Sequence, residues 1–183
     1  DRGSVPDDPE LLKTDKIAGS DALHLDGNYL NCSIKAAKIA KENGVKVSLD
    51  AGGLYDGIEK LLPYADILIP SAEFVTGLTG EKDLVTAAKK TYEKYKPEVF
   101  VVTDGSRGGY FFTENGDLRK YDSVKVEAID TNGAGDTFHG AFLAAYLSGK
   151  NIENACEFAK KVAAYKCSQK GLRGLEFKQF SLK

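Results

Sequence analysis

Apolar residues fall at two kinds of spacing along the 183-residue chain. Short runs rich in β-branched and aromatic residues over 22–26, 45–50, 66–70 and 98–103 predict strands. The last of these is almost continuously apolar, as suits a parallel strand covered on both faces. Two further runs, 108–113 and 118–121, flank Asn115-Gly116 and predict a hairpin. Between the strands the spacing becomes helical. Residues 31–43 place Ile34, Ala37 and Ile39 inward, and residues 83–95 put Leu84, Ala87, Ala88, Thr91, Tyr92 and Tyr95 on one stripe. A third helix runs through Phe138, Ala141, Phe142, Ala145 and Tyr146. A fourth, from 152 to about 169, buries Ile152, Ala155, Cys156, Ala159, Ala163 and Cys167. Short helices are expected near 10–13 and behind Ser71, a good N-cap. Gly44, Pro97 and Gly149 act as stops, and Asn151 as a new cap. Strands alternate with helices, so the predicted fold class is α/β with a mainly parallel sheet and right-handed crossovers.

Composition narrows the picture. A hydrophobic content of 42% is enough for one good core. A net charge of −2 gives no electrostatic case for nucleic acid or an anionic membrane. No apolar run reaches spanning length and no signal-peptide pattern opens the sequence. Three cysteines without paired close spacing predict free thiols in a reducing compartment, with core packing for Cys156 and Cys167. Two histidines far apart argue against a histidine-based metal site. The sequence contains no Met, so an initiator is not part of it.

The chemistry concentrates in Asp130-Thr131-Asn132-Gly133-Ala134-Gly135-Asp136-Thr137-Phe138. This string opens the third helix, so Gly133, Ala134 and Gly135 lie where backbone N–H groups lack helical acceptors and the dipole is positive. Small residues there let an anion approach the backbone. Asp136, in the first turn, could take a proton beside that anion, which is the arrangement phosphoryl transfer requires. An acidic residue in a first turn also simply offsets the dipole, and for a lone Gly-rich turn that is the commoner reason. Asp50, Ser71, Glu73, Thr103, Gly105 and Asp136 all fall at strand ends or helix starts, and in open α/β sheets ligands bind at that edge.

The whole string Asp-Thr-x-Gly-Ala-Gly-Asp-Thr-Phe resembles the signature of the PfkB-type carbohydrate kinases, the ribokinase-like sugar kinases. The resemblance implies a three-layer α/β/α ribokinase-like sandwich, with Asp136 as catalytic base and the amides of Gly133, Ala134 and Gly135 as anion hole. The segment 103–109, Thr-Asp-Gly-Ser-Arg-Gly-Gly, is similar to the family's Thr-x-Gly-x-x-Gly nucleotide loop, which implies nucleotide-binding roles for Thr103, Gly105, Ser106 and Gly108. Ser71 occupies the Asn position of the family's Asn-x-x-Glu and is assigned to the nucleotide with them. Phe74 stands where that Glu would be, and Glu73 is displaced by one. Glu73 and Asp50 are the candidates for organising Mg²⁺ through water, Asp50 being equally suited to cap the next helix. Lys160 reads by default as a lysine on a solvated face, whereas the resemblance puts it beside the adenine. Gly171 and Gly174 lie in a terminal loop used near the nucleotide, and Asp130 and Asn132 complete the surroundings of a monovalent cation such as K⁺. Residues 24–27 resemble a strand end near the sugar cleft, although Asp26 serves equally as a turn former.

Family members are longer than this sequence. The resemblance therefore implies that residues 1–183 are the C-terminal, nucleotide-binding portion of a ribokinase-like kinase domain, with N-terminal strands and lid missing and no activity alone. The implied whole protein is a cytoplasmic kinase that moves a phosphoryl group from ATP, with Mg²⁺, to a sugar or nucleoside hydroxyl. It has no nucleic-acid or membrane partner, and its oligomeric state stays open between monomer and homodimer, since relatives often pair through the missing lid. The departure at 71–74 motivates an alternative, a regulatory protein that binds nucleotide or sugar without catalysis. A redox Rossmann enzyme is disfavoured, since no Gly-x-Gly-x-x-Gly opens a helix after the first strand.

Overall fold

A computed structural model gives the fold of residues 5–171, 176 and 178–181. One sheet carries six strands in chain order: β1 (Ala22–Leu25), β2 (Lys46–Ala51), β3 (Ile67–Pro70), β4 (Val99–Thr103), β5 (Gly109–Phe112) and β6 (Leu118–Tyr121). The pairings from β1 to β4 are parallel, and those of β4 with β5 and β5 with β6 are antiparallel. The mainly parallel α/β class is therefore as expected. The chain divides within β4 into two compact units, Asp1–Phe100 and Val101–Lys183.

In the first unit Asp66 fixes strand register. Its backbone N–H donates to the Val47 carbonyl oxygen and its own carbonyl accepts from the Val99 N–H, each at 2.9 Å. Its carboxylate accepts from the Val47 N–H at 2.9 Å and from Lys41 Nζ at 2.5 Å. Three strands thus begin from one residue. Leu49, Ile67, Leu68 and Ile69 are fully buried, each contributing about 1.5–3 kcal/mol by leaving water. Helix α2 (Leu30–Glu42) packs on β1 and β2, and α3 (Ala72–Thr79) on α4 (Leu84–Tyr95). Asp83 caps α4, its Oδ1 accepting the Thr86 N–H at 2.9 Å.

The second unit holds the hairpin and two helices packed on one another, α5 (Ala134–Leu147) and α6 (Ile152–Cys167). Phe138, Phe142 and Tyr146 stack along α5 with ring centroids 6.3 and 6.0 Å apart, and Tyr121 of β6 stacks on Phe138 at 6.0 Å. The buried face of α6 is made largely of small residues, including Ala155, Cys156 and Ala159. Such a face lets two helices approach closely. Asn151 caps α6, accepting the Asn154 N–H at 2.8 Å.

Three expectations change in detail. The inward face of α2 is Ser33, Ala36, Ala37 and Ala40, while Ile34 and Ile39 lie half-buried at its margins. Small side chains let the helix lie low on the strands. The short early helix is instead a 3-10 turn, Pro9–Leu11, capped by the Asp8 carboxylate, followed by one α-helical turn, α1 (Asp15–Ala18). Ala163 and Cys167 are half-buried, and Val162, Ala164 and Lys166 are the residues buried at that end of α6.

Candidate active site

The string at 130–138 builds the start of α5. Gly133 is its N-cap with φ 74°, a left-handed conformation that favours glycine. The Ala134 N–H donates to the Thr131 carbonyl oxygen at 3.1 Å and the Thr137 N–H to that of Gly133 at 3.0 Å. The N–H groups of Gly133, Gly135 and Asp136 have no acceptor among the described residues, which is the donor set a helix start offers to an anion. The Ala134 amide must give up its turn bond to join them. Asp136 is exposed in this first turn.

Asp130 anchors the turn from below. Its carboxylate accepts the Asn132 and Gly171 N–H groups, each at 2.9 Å, and lies 3.6 Å from Lys166 Nζ. Lys166 Nζ also donates to the Asp130 carbonyl oxygen at 2.8 Å. The Asn132 and Gly171 amides, followed by the Lys166 charge, hold the Asp130 carboxyl below its ordinary pKa. Gly174 lies outside the described residues.

The loop after β4 is a 3-10 turn, Gly105–Arg107. Asp104 accepts from Arg107 Nε at 2.8 Å and Nη2 at 2.5 Å, and the Ser106 carbonyl oxygen accepts from Ser123 Oγ at 2.5 Å. A Cβ on Gly108, whose φ is 87°, would stand 2.0 Å from the Tyr121 carbonyl oxygen. The sheet therefore demands glycine there irrespective of any ligand.

A cavity of about 450 Å³ opens between this loop, residues 121–128, the start of α5 and the end of α6, all within the second unit. It gathers seven residues singled out from the sequence: Thr103, Gly105, Ser106, Gly108, Ala134, Gly135 and Lys160. Gly133, Asp136, Asp130, Asn132 and Gly171 are not in its lining but belong to the adjoining turn and its anchor. Sequence reasoning missed Tyr121, Ser123, Val124, Val126 and Phe138 as walls. Residues 122–128 follow no regular secondary structure and so give no periodic signal. Ala163 and Cys167, expected in the core, line the cavity as well. Lys160 is paired with Glu157, so its position combines a cavity wall with an ion pair.

Asp50, Ser71 and Glu73 belong to the first unit, at the C-terminal ends of β2 and β3. Ser71 Oγ accepts the Phe74 N–H at 3.0 Å, capping α3 as expected. Glu73 is exposed, whereas Phe74 is 1% exposed.

The donor set fits a nucleotide. First-turn amides and Lys125 suit phosphates, and the apolar walls Val124, Val126 and Ala163 suit a flat base. Among the described residues no cluster of three or more His, Cys, Asp or Glu could hold a metal. Mg²⁺ is commonly held by one or two carboxylates together with substrate phosphates. Asp130 does not fit a bound monovalent cation, since its carbonyl and carboxylate oxygens already face Lys166.

Residues 8–177 match the model of the pfkB family carbohydrate kinases. The chain belongs to this family. Similar pfkB relatives include a ribokinase of Haemophilus influenzae, 38% identical over 141 residues, an alignment covering 74% of this chain and 45% of the relative. A solved ribokinase of Arabidopsis thaliana, complexed with ribose and ATP, superposes with TM-score 0.77 at 29% identity over 86% of this chain and 53% of that one. The adenosine kinase of Sinorhizobium meliloti shares the fold, with TM-score 0.81 at 21% identity over 92% of this chain and 55% of that one. The ribokinase-like fold is thereby established for this pfkB chain, which spans about half the length of the curated relatives it matches. No described helix is long and apolar enough to cross a membrane.

Proposed function

We propose that residues 1–183 supply the nucleotide-binding part of a kinase domain that phosphorylates a sugar or nucleoside hydroxyl from ATP. The observation that carries this reading is the convergence of the 103–108 loop, Lys160 and the Gly135 turn on one cavity. Support comes also from family membership and from the ribokinase solved with ribose and ATP. Bound ATP supplies the transferable γ-phosphoryl group, and Mg²⁺ offsets the charge of its phosphates. The residues of the chain do the rest. The Gly133 and Gly135 N–H groups, fixed by the helix start, donate without reorganisation to the charge that develops in transfer, and that of Ala134 joins them on giving up its turn bond to Thr131. Asp136, one residue further on, takes the proton of the attacking hydroxyl. Thr103, Gly105, Ser106, Gly108, Lys160 and Gly171, all in the second unit, hold the rest of the nucleotide. The family resemblance by itself assigns Ser71 to the nucleotide, and Glu73 and Asp50 to water around the metal. The free thiols Cys32, Cys156 and Cys167 suit a reducing, cytoplasmic setting.

The test is ADP release by the protein carrying this chain, with ATP, with and without Mg²⁺, across pentoses, hexoses and nucleosides. Magnesium-dependent turnover with one of them is the expected result. The burial of Phe74, which by the family resemblance stands at the position of a glutamate, favours the second reading, a binding protein without catalysis. Saturable ATP binding with no turnover on any acceptor would select that one instead.

A further inference from the structure

Lys166 lies on the buried stripe of α6, on the same face as Ala155, Ala159 and Val162, and is fully buried. A lysine in that position is costly unless its ammonium is paired and hydrogen-bonded. The pairing is specific. Nζ donates to the Asp130 carbonyl oxygen at 2.8 Å and stands 3.6 Å from Asp130 Oδ1. Asp130 is in turn the residue on which the neighbouring backbone converges. Its carboxylate takes the Asn132 and Gly171 N–H groups, while the N–H groups of Ile129 and Asp130 donate to the Cys167 carbonyl oxygen at 2.8 and 3.1 Å. Three residues beyond Asp130 the chain turns left-handed at Gly133 and opens the first-turn amides of α5. A carbonyl oxygen beside a carboxylate oxygen is also what a hard cation seeks.

We propose that Lys166 is a tethered cation: a positioning residue that neutralises Asp130 and sets the 130–135 turn, so that this turn forms and receives phosphate without a soluble monovalent cation. The part concerning phosphate rests on the kinase reading, and the part concerning the turn does not. The ammonium cannot diffuse away, so the geometry of the turn is independent of the salt present. An alkali ion has no place at Asp130 while Lys166 is there.

The experiment compares the wild-type chain with Lys166→Ala and Lys166→Met at equal ionic strength in chlorides of K⁺, NH₄⁺ and bulky tetramethylammonium. Thermal melting and calorimetric titration of ATP with Mg²⁺ are the readouts. Wild type melts at one temperature and binds ATP with one affinity in all three salts. Lys166→Ala melts about 6 °C lower or more in tetramethylammonium, since an uncompensated partner is left behind, and recovers part of that loss in K⁺ or NH₄⁺. Its ATP affinity falls about tenfold and recovers likewise. Lys166→Met retains the packing of the stem and leaves no room for an ion, so it is weakened and not rescued. A specific K⁺ gain by wild type overturns the proposal, as does a methionine variant that behaves like wild type. If both variants fail to fold, the wild-type salt comparison decides. If folded wild type binds no ATP, the nucleotide reading fails, and the melting comparison still decides the role of Lys166.

Discussion

Gly135 lines the cavity in the first turn of α5, and a Cβ added there meets nothing within 4 Å. Its backbone is not left-handed, so the conformation suits alanine. Gly135→Ala should therefore favour folding by about 0.5–1 kcal/mol, through lower unfolded-state entropy and better helix propensity. For a chain of this size that is roughly 2–4 °C in melting temperature. The site responds the other way. The new methyl group occupies the approach to the first-turn amides and holds an anion beyond hydrogen-bonding distance. Losing one charge-assisted hydrogen bond costs about 1.5–3 kcal/mol, or roughly 10- to 150-fold in affinity. Thermal melts and calorimetric titration of ATP with Mg²⁺, run on both proteins, measure the two effects separately. A variant that is more stable and binds less is the expected outcome. A less stable variant refutes the backbone argument, and one that binds ATP like wild type refutes phosphate placement at Gly135.

Further consequences concern the loop, the anchor and the cavity wall. Gly108→Ala drives a Cβ to 2.0 Å from the Tyr121 carbonyl oxygen at a φ of 87°, so chemical denaturation should show a loss of about 2–4 kcal/mol; a loss below about 1 kcal/mol contradicts the packing. Asp130 has a folded-state pKa below its ordinary value of 3.8, so the stability it confers is complete above that value and fades as pH falls through the depressed one. Wild type should exceed Asp130→Asn by a constant margin near neutrality and by a shrinking one below about pH 4, and a margin unchanged down to about pH 2 would argue against the linkage. Cys167 is half-buried in the cavity wall, whereas burial pushes the Cys156 thiol far up. Iodoacetamide should therefore label Cys167 and spare Cys156, with ATP slowing the Cys167 reaction; mass spectrometry that finds no protection would move the nucleotide away from α6.

The parts of the fold and site that were legible in the sequence are those written locally. The 130–138 string carries its own helix start, and the 103–109 segment its own turn, so Gly133, Gly135 and Gly105 could be placed from neighbours a few residues away. The Asn115-Gly116 turn likewise sits between the hairpin strands it predicted. What escaped is set by distant partners. The apolar wall at 121–128 reaches the cavity because β6 pairs with β5, and no periodicity marks the irregular chain that follows. The face of α2 agrees with expectation at Ala37 and differs at Ile34 and Ile39, because isoleucine outranks alanine in hydrophobicity, whereas close approach to β1 and β2 selects the smaller side chain. Lys166 carries a usable signal in its helical spacing from Ala155, Ala159 and Val162, although a lysine is rarely fully buried. Its partner Asp130 is 36 residues away, and only the fold joins them.

In the proposed transfer Asp136 is the base and the nucleotide sits beside it. The most direct measurement is turnover and ATP affinity of Asp136→Asn in the protein that carries this chain, with whichever acceptor the wild type phosphorylates. Asparagine preserves the size of the side chain and removes its capacity to take a proton. ATP affinity should remain within about threefold of wild type, while kcat falls about 10²- to 10⁴-fold, the usual contribution of a positioned base. A kcat close to that of wild type would rule out Asp136 as the base.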